Sequence, residues 1–164
     1  MVREIVHDPV LLSMKSTEAG PKDVKIAEDL IDTLKAHLDE CVGMAANMIG
    51  ERKRIIAIAK GPMIVAMMNP KIISGFEEYE AEEGCLSLEG TRKVKRYRSI
   101  RLKWQDVQMK EHIGILDGFQ AQIVQHEVDH CNGILQAIST GMTFVASVSH
   151  NPLRKACIST VTGR

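Results

Sequence analysis

Three residues in the stretch QHEVDH, namely His126, Glu127 and His130, have the types and the spacing that hydrolytic metal chemistry uses. On a helix advancing about 100° per residue, positions four apart point to nearly the same side, so both imidazoles can reach one ion. Glu127 lies one step round, where a carboxylate meets a metal-bound water without becoming a ligand. An open catalytic site usually takes three protein ligands, so a further Glu, Asp, His or Cys is required. The other histidines, His7, His37, His112 and His150, sit in unrelated contexts and read as surface or capping residues. Cys85 is favoured modestly, because EEGCLS places it in a Gly-flanked turn between two expected strands, a position that aims a side chain into a cleft. The plainer reading of QHEVDH is a helix with two partly exposed histidines and ordinary surface acids.

Hydrophobic periods outline the elements that must position these groups. From Lys22 to Glu40 the residues Val24, Ala27, Ile31, Leu34 and Leu38 recur at three- and four-residue steps and predict an amphipathic helix. CVGMAANMIG follows, then RIIAIA and MIVAMM, two β-type runs separated by Gly61-Pro62. After EEYEAEEGCLSLEG come the basic alternating run RKVKRYRSIRLKW and a short strand at residues 112–116. A turn at Asp117-Gly118 leads into a helix from Phe119 to about His130, stopped by Asn132-Gly133, with Phe119, Ile123 and Val124 expected to pack on the sheet. The class is α+β, with mostly antiparallel sheets packed around the late helix. Residues 1–138 read as one domain, and 139–164 as a strand drawn from TFVASVS or a flexible end.

A chain of 164 residues supports one well-formed core. Lys+Arg and Asp+Glu balance at 21 each, so no global field draws the protein to nucleic acid or an anionic membrane. No stretch approaches the roughly 20 apolar residues of a membrane span, and MVREIVHDP lacks a signal-peptide core, so a cytoplasmic protein is expected. Cys41, Cys85, Cys131 and Cys157 form no close pairs and read as thiols, three of them as small buried apolar residues.

Taken together, EGCLS at 83–87, QHEVDHCNG at 125–133 and VGMAANMIG at 42–50 resemble the peptide deformylase family in order and approximate spacing. The opening IVHDPVL extends the likeness over roughly residues 3 to 136. The resemblance implies that Cys85 joins His126 and His130 as the third ligand, and that Glu127 is the general acid and base. It implies an oxyanion donor in the backbone N–H of Leu86, a substrate groove lined by Gly43, and Arg92 near the bound peptide. The implied cofactor is Fe(II), with Zn(II), Ni(II) or Co(II) as substitutes, and the implied partner is an N-formylmethionyl peptide or nascent chain, with ribosome contact.

The chain departs from the family pattern Gly-x-Gly-x-Ala-Ala-x-Gln, reading CVGMAANM instead, with Cys41 for the first Gly and Met48 for the Gln. A thioether donates no hydrogen bond, and losing one oxyanion donor costs about two to three powers of ten in rate. Asn47 carries an amide one residue away, but using it would require the backbone to shift. A conventional zinc endopeptidase and a catalytically drifted binder of N-terminal Met peptides are the competing readings; EGCLS argues against the first, while Met48 and Cys41 motivate the second.

Overall fold

The computed structural model describes residues 1–85 and 87–135, with side chains throughout except at 88–91. Leu86, Cys157, His150 and the 139–164 segment with its expected strand lie outside the described residues.

A short helix α1 (Pro9–Leu12) opens the fold; Asp8 caps it by accepting the Val10 N–H at 2.8 Å, and Pro9 fills the first position, where no N–H is needed. A 3-10 turn (Pro21–Asp23) leads into α2 (Val24–Ala36). The buried stripe of α2 is Ala27, Leu30 and Leu34, so the predicted stripe is offset: Leu30 joins it, and Leu38 lies beyond the helix and is 45% exposed.

Five strands follow: β1 (Gly43–Ala45), β2 (Ile55–Lys60), β3 (Met63–Cys85), β4 (Leu88–Gln105) and β5 (Glu111–Asp117). They form one sheet in the order β1-β2-β3-β4-β5, every neighbouring pair antiparallel, where several sheets had been expected. The unity comes from two very long strands. EEYEAEEGC continues β3 because its side chains alternate: Ala81 and Glu83 are buried, while Glu78, Glu80 and Glu82 face water. Lys95 and Lys93 on β4 meet Glu78 and Glu80 at 3.1 and 3.0 Å, a cross-strand charge ladder that fits this register. Register shifts near Asn69-Pro70 and Ile73 mark bulges, which bend such long strands.

The last helix, α3 (Gly118–Cys131), packs against β1, β2 and β4. Its core side is Ala121, Ile123, Val124 and Val128; Phe119, expected to pack inward, is 42% exposed because it sits at the helix mouth beside the turn. Ile55, Ile56 and Ile58 of β2, Met68, Ile100 and Leu102 complete the core with α2. Burying a side chain such as Ile123 contributes about 1.5 to 3 kcal/mol, so α3 is held to the sheet by packing and not by its own propensity. The consequence for function is a rigid helix laid across the end of the β3–β4 hairpin.

Candidate metal centre

Cys85 is the last residue of β3, paired with Leu88 where the hairpin turns. α3 presents His126 and His130 to the same place and turns Glu127, next to His126, toward Gly43 of β1, all three buried. One ligand atom from each of Cys85, His126 and His130 lies within 4.8 Å of the others. Cys85 Sγ is 3.2 Å from His130 Nε2. Two ligands on one tetrahedral ion, with bonds near 2.3 Å to sulfur and 2.0 to 2.1 Å to nitrogen, stand about 3.5 Å apart, so the spacing suits a single ion.

Several polar atoms here have no partner among the described residues. His126 Nε2 and both Glu127 carboxylate oxygens are buried with no hydrogen-bond partner among the described residues. Such groups are costly unless something occupies the space between them. The nearby cavity, lined by Glu83, Cys85, Arg92, His126, Asp129 and His130 among others, offers about 10 Å³, room for one occupant of water size. Thiolate with two imidazoles is a donor set for Fe(II), Zn(II) or related divalent ions, so the residues fit a metal.

Around the donors lies an ionic network. Glu83 Oε2 accepts from His126 Nδ1 at 2.9 Å and from Arg96 Nη2 at 2.7 Å; Oε1 accepts from Arg96 Nε at 2.8 Å and Gln122 Nε2 at 3.2 Å. Arg96 Nη1 donates to Asp129 at 2.7 Å. Burial alone would push the Glu83 carboxyl up, but the Arg96 and His126 bonds outweigh it and hold the group at about 2. With Glu83 ionised, His126 keeps its proton on Nδ1 and turns Nε2 to the cluster. Burial, with the nearby His126 and Arg96, lowers His130 to about 3, leaving a neutral imidazole suited to ligation. Glu127 moves the other way: burial first, then Cys41 and Glu83, raise its carboxyl well above the ordinary range.

The remaining predicted residues fall in different places. Gly43 on β1 sits under α3: a Cβ there would lie 2.6 Å from Ile123 Cγ2 and 2.8 Å from Glu127 Oε1, so only glycine permits this approach. Arg92 is half-buried and lines the cavity at the cluster. Met48, in the 3-10 turn Ala46–Ile49, is fully buried in the core and its Sδ accepts the Ala45 N–H at 3.5 Å. Asn47 cannot stand in for the missing amide, because its Nδ2 donates to the carbonyls of Leu12 and His130. Sequence reasoning assigned no role to Glu83, Arg96, Asp129 or Gln122. Glu83 carried a readable signal, since a residue two before Cys85 on a strand shares its face; Arg96 comes from the partner strand and had none.

A single antiparallel sheet whose hairpin end meets a helix, bringing one thiol and two imidazoles within reach of one ion, defines a small α+β protein with a metal-type donor cluster. The profile of the family described as polypeptide deformylase matches residues 2–139. The chain is 48% identical over 135 residues to a peptide deformylase of Clostridium beijerinckii, covering 82% of this chain and 99% of that one. It is 39% identical over 140 residues to the peptide deformylase of Dictyoglomus thermophilum, covering 82% and 90%. Among solved structures, the Met-Ala-Ser-bound class I type b peptide deformylase of Acinetobacter baumannii superposes with a TM-score of 0.74 at 30% identity, covering 83% of this chain and 97% of that one. The peptide deformylase of Legionella pneumophila gives 0.75 at 30% identity, covering 83% and 84%. The chain therefore belongs to the peptide deformylase family.

Proposed function

We propose that this protein is a metal-dependent amide hydrolase that removes the formyl group from N-formylmethionyl peptides, releasing formate and a free amino terminus. The observation that carries the reading is the convergence of Cys85, His126 and His130, with the residue after His126, Glu127, carrying a buried carboxylate that has no partner of its own among the described residues. We assign Cys85, His126 and His130 as ligands and Fe(II) as the ion, with Zn(II), Ni(II) or Co(II) as substitutes; bound there, it supplies Lewis acidity toward water and toward the formyl carbonyl.

The chain's own residues handle the proton and the peptide. Glu127 takes the proton from the attacking water at a carboxylate oxygen and returns it to the amine nitrogen as the C–N bond breaks. A carboxyl whose pKa is raised by burial holds that proton long enough to deliver it. Glu83 keeps the His126 ring in the ligating tautomer, and Gly43 leaves room for the Glu127 carboxylate. The backbone N–H of Leu86 is assigned to the developing oxyanion, and Arg92, at the rim of the cavity, to the peptide chain. The Acinetobacter baumannii relative was solved with Met-Ala-Ser bound, an unformylated tripeptide of the kind this reaction releases.

Met48 provides no second oxyanion donor, which supports a slower enzyme than one with glutamine, by about two to three powers of ten. The test is formate release from a formyl-Met tripeptide by anaerobically purified protein loaded with Fe(II) or Ni(II), with Glu127→Ala as the blank. Turnover lost in the variant is expected. No turnover from wild-type protein carrying stoichiometric metal would reject the enzyme and favour the drifted peptide binder that Met48 also fits.

A further inference from the structure

The two histidines of the cluster are steadied differently. His126 has Glu83 on its Nδ1, whereas His130 Nδ1 is buried with no hydrogen-bond partner among the described residues. Among the described residues His130 therefore has no partner for the ring-orienting bond that ligating histidines usually make, and its ring direction depends on where its backbone is held. That backbone lies in the last turn of α3, where carbonyls have no partner further along the helix.

Among the described residues, one side chain from another element reaches the His130 carbonyl itself. Asn47, 4% exposed in the 3-10 turn that also carries Met48, donates from Nδ2 to the His130 carbonyl at 3.0 Å and to the Leu12 carbonyl at 3.2 Å. Both neighbours are acceptors, so the amide must present its NH2 to them. The Gly133 N–H adds a local bond to the same His130 carbonyl at 3.1 Å, but that bond lies within the helix end itself; the two following residues are tied separately, the Cys131 carbonyl to the Ser16 N–H at 2.9 Å and Asn132 Oδ1 to Arg54 Nη1 at 2.7 Å.

We propose that Asn47 is a positioning residue for the metal ligand His130, fixing the end of α3 against the 3-10 turn and the end of α1 so that Nε2 faces Cys85. The inference rests on the ligand assignment above and not on the reaction. Loss of the NH2 group weakens metal binding by about tenfold, within the 10- to 100-fold range found when groups that orient ligands are removed.

The experiment uses the whole protein with Co(II) as probe, comparing wild type, Asn47→Ala, Asn47→Asp and a control, Thr33→Ala. Thr33 is fully buried and its hydroxyl bridges the Arg3 N–H at 2.9 Å and the Asp29 carbonyl at 2.7 Å on α2, so its loss is a comparable lesion in an element that supplies no ligand. The Co(II) dissociation constant by chelator competition, the visible ligand-field spectrum and the melting temperature of the metal-free protein are measured for each. Both Asn47 variants should bind Co(II) about tenfold more weakly with shifted bands, while Thr33→Ala lowers the melting temperature and leaves the constant and the bands unchanged. A constant within twofold of wild type and an unaltered spectrum in Asn47→Ala would overturn the proposal, as would an equal shift in Thr33→Ala. Formate release by wild type is followed in parallel; its absence beside a tenfold Co(II) loss in Asn47→Ala would remove the catalytic reading and leave this one in place.

Discussion

Replacing Glu83 by glutamine keeps the shape of the side chain and removes its charge, which makes it a sharp test of the network behind the candidate metal centre. The carboxylate accepts four bonds, two from Arg96 at 2.8 and 2.7 Å, one from His126 at 2.9 Å and one from Gln122 at 3.2 Å. A glutamine has one oxygen and one NH2, so at least one of these donors then faces another donor. Arg96 retains Asp129 at 2.7 Å, but its buried guanidinium loses the partner that neutralised it. Removing one member of a buried ion pair typically costs about 3 to 5 kcal/mol, and disturbing the carboxylate behind a ligating histidine costs about 10- to 100-fold in metal affinity. Urea unfolding of the metal-free protein and Zn(II) competition with a chelator read the two effects separately. Glu80→Gln, on the exposed ladder of the same strand, is the comparison and should change neither. If Glu83→Gln loses less than about 1 kcal/mol and keeps wild-type affinity, the argument that this network orients His126 is wrong.

Three further outcomes follow from other parts of the structure. Met48→Gln should raise turnover about 10²- to 10³-fold, because glutamine Oε1 can accept the Ala45 N–H in place of Sδ and free its NH2 for the oxyanion; unchanged steady-state rates would count against that assignment. Gly43→Ala should destabilise the fold by about 1 to 3 kcal/mol and depress kcat, since the new methyl meets Ile123 and Glu127; thermal unfolding and formate release check the pair, and wild-type values in both would show that α3 moves away freely. Asp29 is held at about 2 by hydrogen bonds from the Met1 amino group and then, against the effect of burial, from Lys25 and Arg3. Its folded pKa is below the unfolded value, so its contribution is complete above about pH 4 and disappears as pH falls through about 2. Acid unfolding of Asp29→Asn should be flatter across that window, and an unaltered acid limb would refute the assignment.

Short-range chemistry was readable in the sequence alone. The four-residue step between His126 and His130 needs only a helix to bring two imidazoles together, and the β-type runs and the glycine at 61 mark strands and a turn without reference to anything distant. The resemblance carried by EGCLS and QHEVDH named Cys85 as their companion, and the structure brings the three donors together. What the tertiary structure decided were relations across elements. Whether Phe119 or Leu38 would be buried depended on where α3 and α2 begin and end against the sheet. That the region from Met63 to Gln105 is one long bulged hairpin follows from cross-strand pairing, which a linear period does not encode. The choice of Glu83 and Arg96 as the groups behind His126, and of Asn47 as the tie to His130, was made by residues 13 to 83 positions apart in the chain. Sequence patterns record what a residue offers to its neighbours in the chain, whereas a buried polar group takes its role from whichever donor or acceptor folding puts opposite it.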